Sequence, residues 1–219
     1  MSIKAIVFDA YGTLFDVNSA AEKCKGKIGD RWEAFANFWR TTQLEYTWLR
    51  SLMKRHKNFW QITEDSLDKS MKVFNIDVSL KKELLNLYKI LSPYSEVKEV
   101  LRVLKEKNYK LAILSNGTPT LLKDLVTSNK LDNLFDDLFS IEEVKIYKPD
   151  PEVYKMPLKK YKISAGEITF LSANTWDVSG GGNFGYNSIW VNRYKTKFDN
   201  LDYKPKNEIG NLSQLLDIV

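Results

Sequence analysis

Ile3 to Phe8 form a β-branched, apolar run that ends at Asp9, which is the pattern of a strand covered on both faces. From about Val17 to Leu91 the texture changes. Glycine nearly disappears after Gly29, and apolar residues recur at helical spacing, as in Phe35, Phe38 and Trp39, then Leu49, Leu52 and Met53. This stretch predicts about four helices. Thr63-Glu64-Asp65 reads as the start of one, with a capping hydroxyl and acids in the first turn, and Ser79 reads as the cap of another. After Pro93 helices and strands alternate. A helix over 95–107 leads to a strand at 110–114, a helix near 119–128, a short strand at 138–141, and a helix opened by Asp150-Pro151. Strands at 168–171 and 188–191 complete the series.

Alternation at this spacing implies a parallel sheet with right-handed crossovers. The predicted architecture is an α/β core made of 1–16 and 92–219, interrupted by an all-helical insertion at 17–91. Open parallel sheets bind ligands at the carboxyl ends of their strands. That rule selects Asp9, Ser115 with Asn116, Lys148 at a short distance, and then Ser172, Asn174 and Asp177. The insertion departs directly after Asp9, where it could close over such a site as a lid.

Charge and cysteine content narrow the function classes. The net charge of +5 is spread along the chain, without a Lys/Arg block that would read as a nucleic-acid tail. Solvated surface lysines account for most of it, and the mild positive potential would also attract a small anion. The single cysteine, Cys24, excludes an internal disulfide framework and fits a reducing compartment. Nothing places it beside the only histidine, His56, so a structural thiol and an exposed histidine are expected. No apolar stretch is long enough for a membrane span or a signal-peptide core, so a cytoplasmic protein without a membrane partner is expected. Gly180-Gly181-Gly182-Asn183-Phe184-Gly185 formally fits the dinucleotide fingerprint G-x-G-x-x-G. It lacks a strand directly before it and a helix opening from it, so flexible backbone or close helix packing explains it better, and no nucleotide cofactor is expected.

Phe8-Asp9-Ala10-Tyr11-Gly12-Thr13-Leu14, Ser115-Asn116, Lys148-Pro149 and a later acidic residue occur in the order and spacing of the haloacid dehalogenase superfamily, which this chain resembles over nearly its whole core. The resemblance implies a Rossmann-like core with a helical cap. It also implies an aspartate nucleophile at Asp9, oriented by a Ser/Thr after the second strand and offset in charge by a lysine. Most members are magnesium-dependent phosphotransferases with a second aspartate two positions after the first, and that position is Tyr11 here. A halide leaves without a proton, so carbon–halogen chemistry needs no acid there. Asp9 and Asp177 alone are a thin oxygen set for Mg²⁺, and no metal or other cofactor is expected.

Within the superfamily the chain is most similar to the L-2-haloacid dehalogenases. The carrying segments run from Asp9 to Val17, through Trp39-Arg40 and Gln43 to Arg50, then Leu114 to Gly117, Tyr147 to Asp150 and Ser172 to Asp177. Thr41, where a glutamine is expected, and Ala173, where a second serine is common, depart from that pattern. What the resemblance implies is attack of Asp9 on C2 of a small 2-haloacid, then hydrolysis of the aspartyl ester to the 2-hydroxy acid of opposite configuration. Lys148 would offset Asp9, Arg40 would receive the halide, and backbone N–H groups near Ser115 and Asn116 would hold the substrate carboxylate. Thr13 would hydrogen-bond Asp9, while Asn174 and Ser172 would position water. Asp177 has two open roles, activating that water or holding Lys148. Tyr154 matches a site tyrosine, a packed core position being the other reading. Tyr11, Leu44, Phe59 and Trp176 are the expected apolar lining. Similar proteins imply a homodimer. A magnesium-dependent phosphatase or phosphonate hydrolase, and a non-catalytic scaffold, are the alternatives.

Overall fold

The computed structural model describes residues 3–219. Six strands form one parallel sheet in the order β3-β2-β1-β4-β5-β6, with β1 at Ala5–Phe8, β2 at Lys110–Ser115, β3 at Asp137–Ser140, β4 at Ile168–Ser172, β5 at Asn187–Val191 and β6 at Asn207–Ile209. β1 is flanked on both sides, Phe8 pairing with Ile113 of β2 and with Leu171 of β4. All four of its side chains are fully buried, as an uninterrupted apolar run requires when both faces are covered. The helices that follow β2, β3 and β4 are α7 (Pro119–Ser128), α8 (Pro151–Tyr161) and α9 (Thr175–Phe184). Before β2, α6 (Val97–Glu106) buries Val97, Val100, Leu101 and Leu104, a single stripe at helical spacing. Each such side chain contributes about 1.5–3 kcal/mol relative to exposure.

Between β1 and α6 the chain is helical, with α1 (Ser19–Lys23), α2 (Lys25–Ile28), α3 (Trp32–Leu52), α4 (Phe59–Phe74) and α5 (Lys81–Tyr88). Two start positions differ from expectation. α4 begins four residues before Thr63, because Asn58 accepts from the Gln61 N–H (2.9 Å) and supplies the cap. The Thr63 hydroxyl turns inward and donates to the Phe59 carbonyl (2.7 Å). Likewise Asp77 accepts from the Ser79 N–H (2.8 Å), so Ser79 lies inside a short 3-10 turn, Val78–Leu80, instead of capping a helix.

The segment leaves and rejoins at one narrow neck. Asp16 N–H donates to the Ser92 carbonyl (2.8 Å) and Tyr94 N–H to the Leu14 carbonyl (3.0 Å). Arg193 braces this neck, donating to the Thr13 carbonyl (2.7 Å), pairing with Glu96 (2.7 Å) and lying over the Tyr94 ring. Further contacts tie the helices to the sheet side. Trp48 meets Trp176 edge-on at 5.4 Å, and His56 bonds Glu142 (3.0 Å) while stacking on Tyr147. His56 is therefore a half-buried, partnered group and not the exposed side chain expected. The glycine run lies within the second half of α9. A Cβ on Gly180 would sit 2.5 Å from Tyr154 Oη, one on Gly181 2.7 Å from the Phe170 ring, and one on Gly182 2.0 Å from the Tyr203 ring. Close helix packing accounts for that run. Among the described residues no helix is long and apolar enough to cross a membrane.

Candidate active site

Asp9, Ser115 and Ser172 are the residues at the carboxyl ends of three adjacent strands, β1, β2 and β4. Asp9 is only 5% exposed, and its two oxygens have different surroundings. Oδ2 accepts from Thr13 Oγ1 (3.0 Å), Asn174 Nδ2 (2.9 Å) and, at the long end, Ser172 Oγ (3.4 Å). Oδ1 accepts from Lys148 Nζ (3.2 Å). The donors are themselves held. Thr13 Oγ1 accepts from Ala173 N–H (2.8 Å), and Ser172 Oγ accepts from Asn174 N–H (3.1 Å). Asn174 occupies the cap position of α9 but makes no side-chain cap there, because its amide is committed to Asp9 and to the Tyr11 carbonyl (3.3 Å).

Lys148 and Asp177 are both fully buried and joined at 2.8 Å, so the ammonium stands between two carboxylates. Burial works against its charge, and Asp177 and Asp9 outweigh that penalty and hold its pKa above the ordinary lysine value. The Asp177 carboxyl is pushed up by burial to about 6 despite the pull of Lys148. Its second oxygen accepts from Tyr154 Oη (2.7 Å). Tyr154, one expected substrate contact, thus lies behind Asp177, fully buried among aromatic rings. With both Asp177 oxygens occupied, the arrangement fits the role of holding Lys148 better than that of activating water. A cation shared by Asp9 and Asp177 would need the space that Lys148 Nζ fills.

The loop after β2 is tightly laced. Gly117 N–H donates to Ser115 Oγ (3.0 Å), Ser140 Oγ donates to the Gly117 carbonyl (2.6 Å), and Asn116 Oδ1 accepts from Lys148 N–H (3.1 Å). Thr118 then caps α7, bringing a helix N-terminus beside these residues. Tyr11 is buried, stacked on Tyr88 (5.7 Å) and tilted against Phe59 (5.3 Å), and burial keeps its phenol well above its ordinary pKa. Its hydroxyl has no partner and lies 2.9 Å from where a Cβ on Gly117 would stand. Phe59 is fully buried against Tyr11 and Tyr147, whereas Leu44 and Trp176 are half-buried.

Arg40 comes from α3. It is half-buried and donates to Gln43 Oε1 (2.9 Å), with a longer contact to the Tyr11 carbonyl (3.5 Å), the group that also takes the Asn174 amide. The structure therefore gathers Asp9, Thr13, Lys148, Ser172, Asn174 and Asp177 in one network and brings Arg40 and Tyr11 to its edge. Gln43 and Tyr88 also stand there. Read along the sequence they are ordinary positions on amphipathic helices, and only the meeting of three helices gives them partners at the site. A surface hollow of about 700 Å³ lies away from this network, lined by Lys4, Lys107, Lys110, Lys162 and neighbours at the amino edge of the sheet.

A family model described as haloacid dehalogenase-like hydrolase matches residues 3–185. The chain is 38% identical to (S)-2-haloacid dehalogenase 4A of Burkholderia cepacia over 98% of its own length and 94% of that protein. It superposes on the L-2-haloacid dehalogenase of Xanthobacter autotrophicus with chloropropionic acid covalently bound, at a TM-score of 0.92, with 31% identity and coverage of 99% of this chain and 98% of that one. A second L-2-haloacid dehalogenase structure gives a TM-score of 0.97 at 36% identity, covering 100% of this chain and 99% of that chain.

Proposed function

The chain belongs to the haloacid dehalogenase-like hydrolases, and from that membership we propose that it hydrolyses the carbon–halogen bond of small L-2-haloacids through an ester on Asp9. The observation that carries the assignment to Asp9 is the unequal loading of its carboxylate. Oδ2 carries three donors while Oδ1 has one, leaving Oδ1 the freer lone pair for attack. In the first step Oδ1 attacks C2 opposite the halogen, the carbon–halogen bond breaks with its electron pair on the halide, and the centre inverts. The approach of two carboxylates is opposed by roughly 4 kcal/mol at 4 Å and an effective dielectric near 20. Lys148 beside Oδ1, the backbone N–H groups near Ser115 and Asn116 and the α7 N-terminus offset that repulsion.

The second step uses the other oxygen. Once Oδ1 is esterified, Oδ2 is the carbonyl oxygen, and water adding to its carbon drives negative charge onto it. Thr13, Asn174 and Ser172 then act as preformed donors to that oxyanion. Collapse expels the 2-hydroxy acid, which takes one water proton, and the other is released. Asp177 serves here by fixing Lys148. Arg40 receives the departing halide beside an apolar wall of Tyr11, Phe59 and Leu44, with Trp176 at its margin. In this reading residues 17–91 act as a lid on a core of 1–16 and 92–219. The enzyme works in the cytoplasm as a homodimer, a second copy covering exposed Leu49, Leu52 and Met53.

Halide release from each enantiomer of 2-chloropropionate, with EDTA present, tests the substrate class. Release from the L form alone, yielding D-lactate, is expected. A single turnover in H₂¹⁸O should place the label in the Asp9 carboxylate and leave the first product unlabelled. Label in the product at first turnover would overturn the ester mechanism.

A further inference from the structure

Gln43 is 1% exposed and joins three helices. Its Oε1 accepts from Arg40 on the preceding turn of α3 (2.9 Å), and its Nε2 donates to Thr63 Oγ1 on α4 (2.7 Å) and to Tyr88 Oη at the end of α5 (3.0 Å). The direction of this chain is fixed by chemistry. A guanidinium can only donate, so the atom facing Arg40 must be the amide oxygen. The Thr63 hydroxyl spends its proton on the Phe59 carbonyl (2.7 Å), so it must accept from the amide nitrogen. The amide is thus pinned in one orientation by a backbone carbonyl of α4.

The partner it offers is neutral. Several exposed cations on this molecule pair with carboxylates, as Arg102 does with Glu99 and Glu106. Buried Lys148 is shared by two carboxylates. Arg40, half-buried, is aimed by an amide that leaves its positive charge uncancelled.

We propose that Gln43 is a positioning residue for dehalogenation, which directs the Arg40 guanidinium toward the departing halide while withholding a counter-charge from it. This rests on the reading of Arg40 as the halide's receiver. Gln43→Met removes the acceptor at similar volume, and Gln43→Glu keeps the shape but supplies the missing negative charge. Both should slow turnover of 2-chloropropionate by about 10- to 100-fold, the range for a hydrogen bond to a charged group. Both should raise the bromo-to-chloro rate ratio, because the poorer leaving group depends more on help. Gln43→Glu should in addition weaken product inhibition by chloride about tenfold or more.

Arg40→Ala is the reference. It should raise the same halogen ratio, and adding Gln43→Met to it should cost nothing further. Equal loss for both halogens on Arg40→Ala would overturn the Arg40 reading and this inference with it. A normal Arg40→Ala response, combined with halogen-independent losses at Gln43 that multiply in the double variant, would overturn the inference alone and leave Gln43 a packing residue. Thr63→Val releases the anchor without touching the Arg40 bond and should show the same halogen pattern more weakly. It supplies the answer should the Gln43 variants not fold, and an unchanged ratio in that variant would count against the inference.

Discussion

Asp9 and Arg40 are linked through the Tyr11 carbonyl, yet their surroundings were built by different rules. On the sheet side the carboxylate oxygens are committed: those of Asp9 to Thr13, Asn174, Ser172 and Lys148, and those of Asp177 to Lys148 and Tyr154. Charges there are buried and mutually compensated. On the helical side Arg40 is half-buried and meets neutral acceptors, the Gln43 amide and, at 3.5 Å, the Tyr11 carbonyl. For the mechanism proposed above, the contrast means that a nucleophile and an anion receiver need opposite treatment. The first must be held still, and the second must keep unspent charge.

Replacing each cation gives the sharpest contrast. Lys148→Met leaves the Asp9 and Asp177 carboxylates facing each other without a cation, and should cost about 3–5 kcal/mol in urea unfolding near pH 8, along with activity. In that variant Asp177, already pushed up by burial, loses the cation that favours its charged form, so its folded carboxyl keeps a proton that the unfolded chain releases. The deficit should therefore be smallest at about pH 3, below the ordinary carboxylate range, grow as pH rises from there, and level off above the raised folded value. Arg40→Met should cost about 1 kcal/mol or less, with little pH dependence. Comparable losses for the two would erase the distinction between the sides.

A smaller effect probes the sheet side alone. Asp177 titrates at about 6, with Tyr154 favouring its charged form. As pH falls through that value Asp177 takes up a proton and Lys148 loses a partner, so kcat should fall on the acid side. Tyr154→Phe removes a hydrogen bond to the carboxylate and should move that acid limb upward by about 0.5–1 unit. A limb that stays in place would separate Asp177 from the pH response. The smallest change concerns the seam between the sides. Trp48→Phe trims the edge contact with Trp176, and the Trp48 indole N–H has no partner to lose. The cost should be about 0.5–1.5 kcal/mol, read as a modest rise in KM with kcat held.

Much of the sheet side was legible along the chain. β1, β2, β3, β4 and β5 are short apolar runs with polar residues at their carboxyl ends, and the rule for parallel sheets points to those ends without further information. β6 was not legible, because three residues with two of them exposed carry no period. The starts of the helices in the insertion were less readable. At Thr63 and Ser79 a good capping residue was present while a better-placed neighbour, Asn58 or Asp77, made the bond. Tyr154 was readable as a tyrosine near the site but not as the residue behind Asp177, since its place depends on how α8 packs on α9. The partners of Gln43 and Tyr88 lay beyond reach for the same reason. Their meaning resides in contacts between helices that are far apart in sequence.

The neck between Leu14–Asp16 and Ser92–Tyr94 has a consequence for evolution and folding kinetics. It lies between two strands that are adjacent in the sheet, with Ala5 paired to Lys110. Loop-closure entropy grows only logarithmically, about 0.6 kcal/mol per doubling of length, so lodging a long excursion there burdens sheet formation little. A helical cassette of different length or composition could be spliced in at this junction while the strand pairings and the Asp9 network stayed as they are. Selection can then search new leaving groups and substrate shapes on one half of the molecule without reopening the solution found by the other.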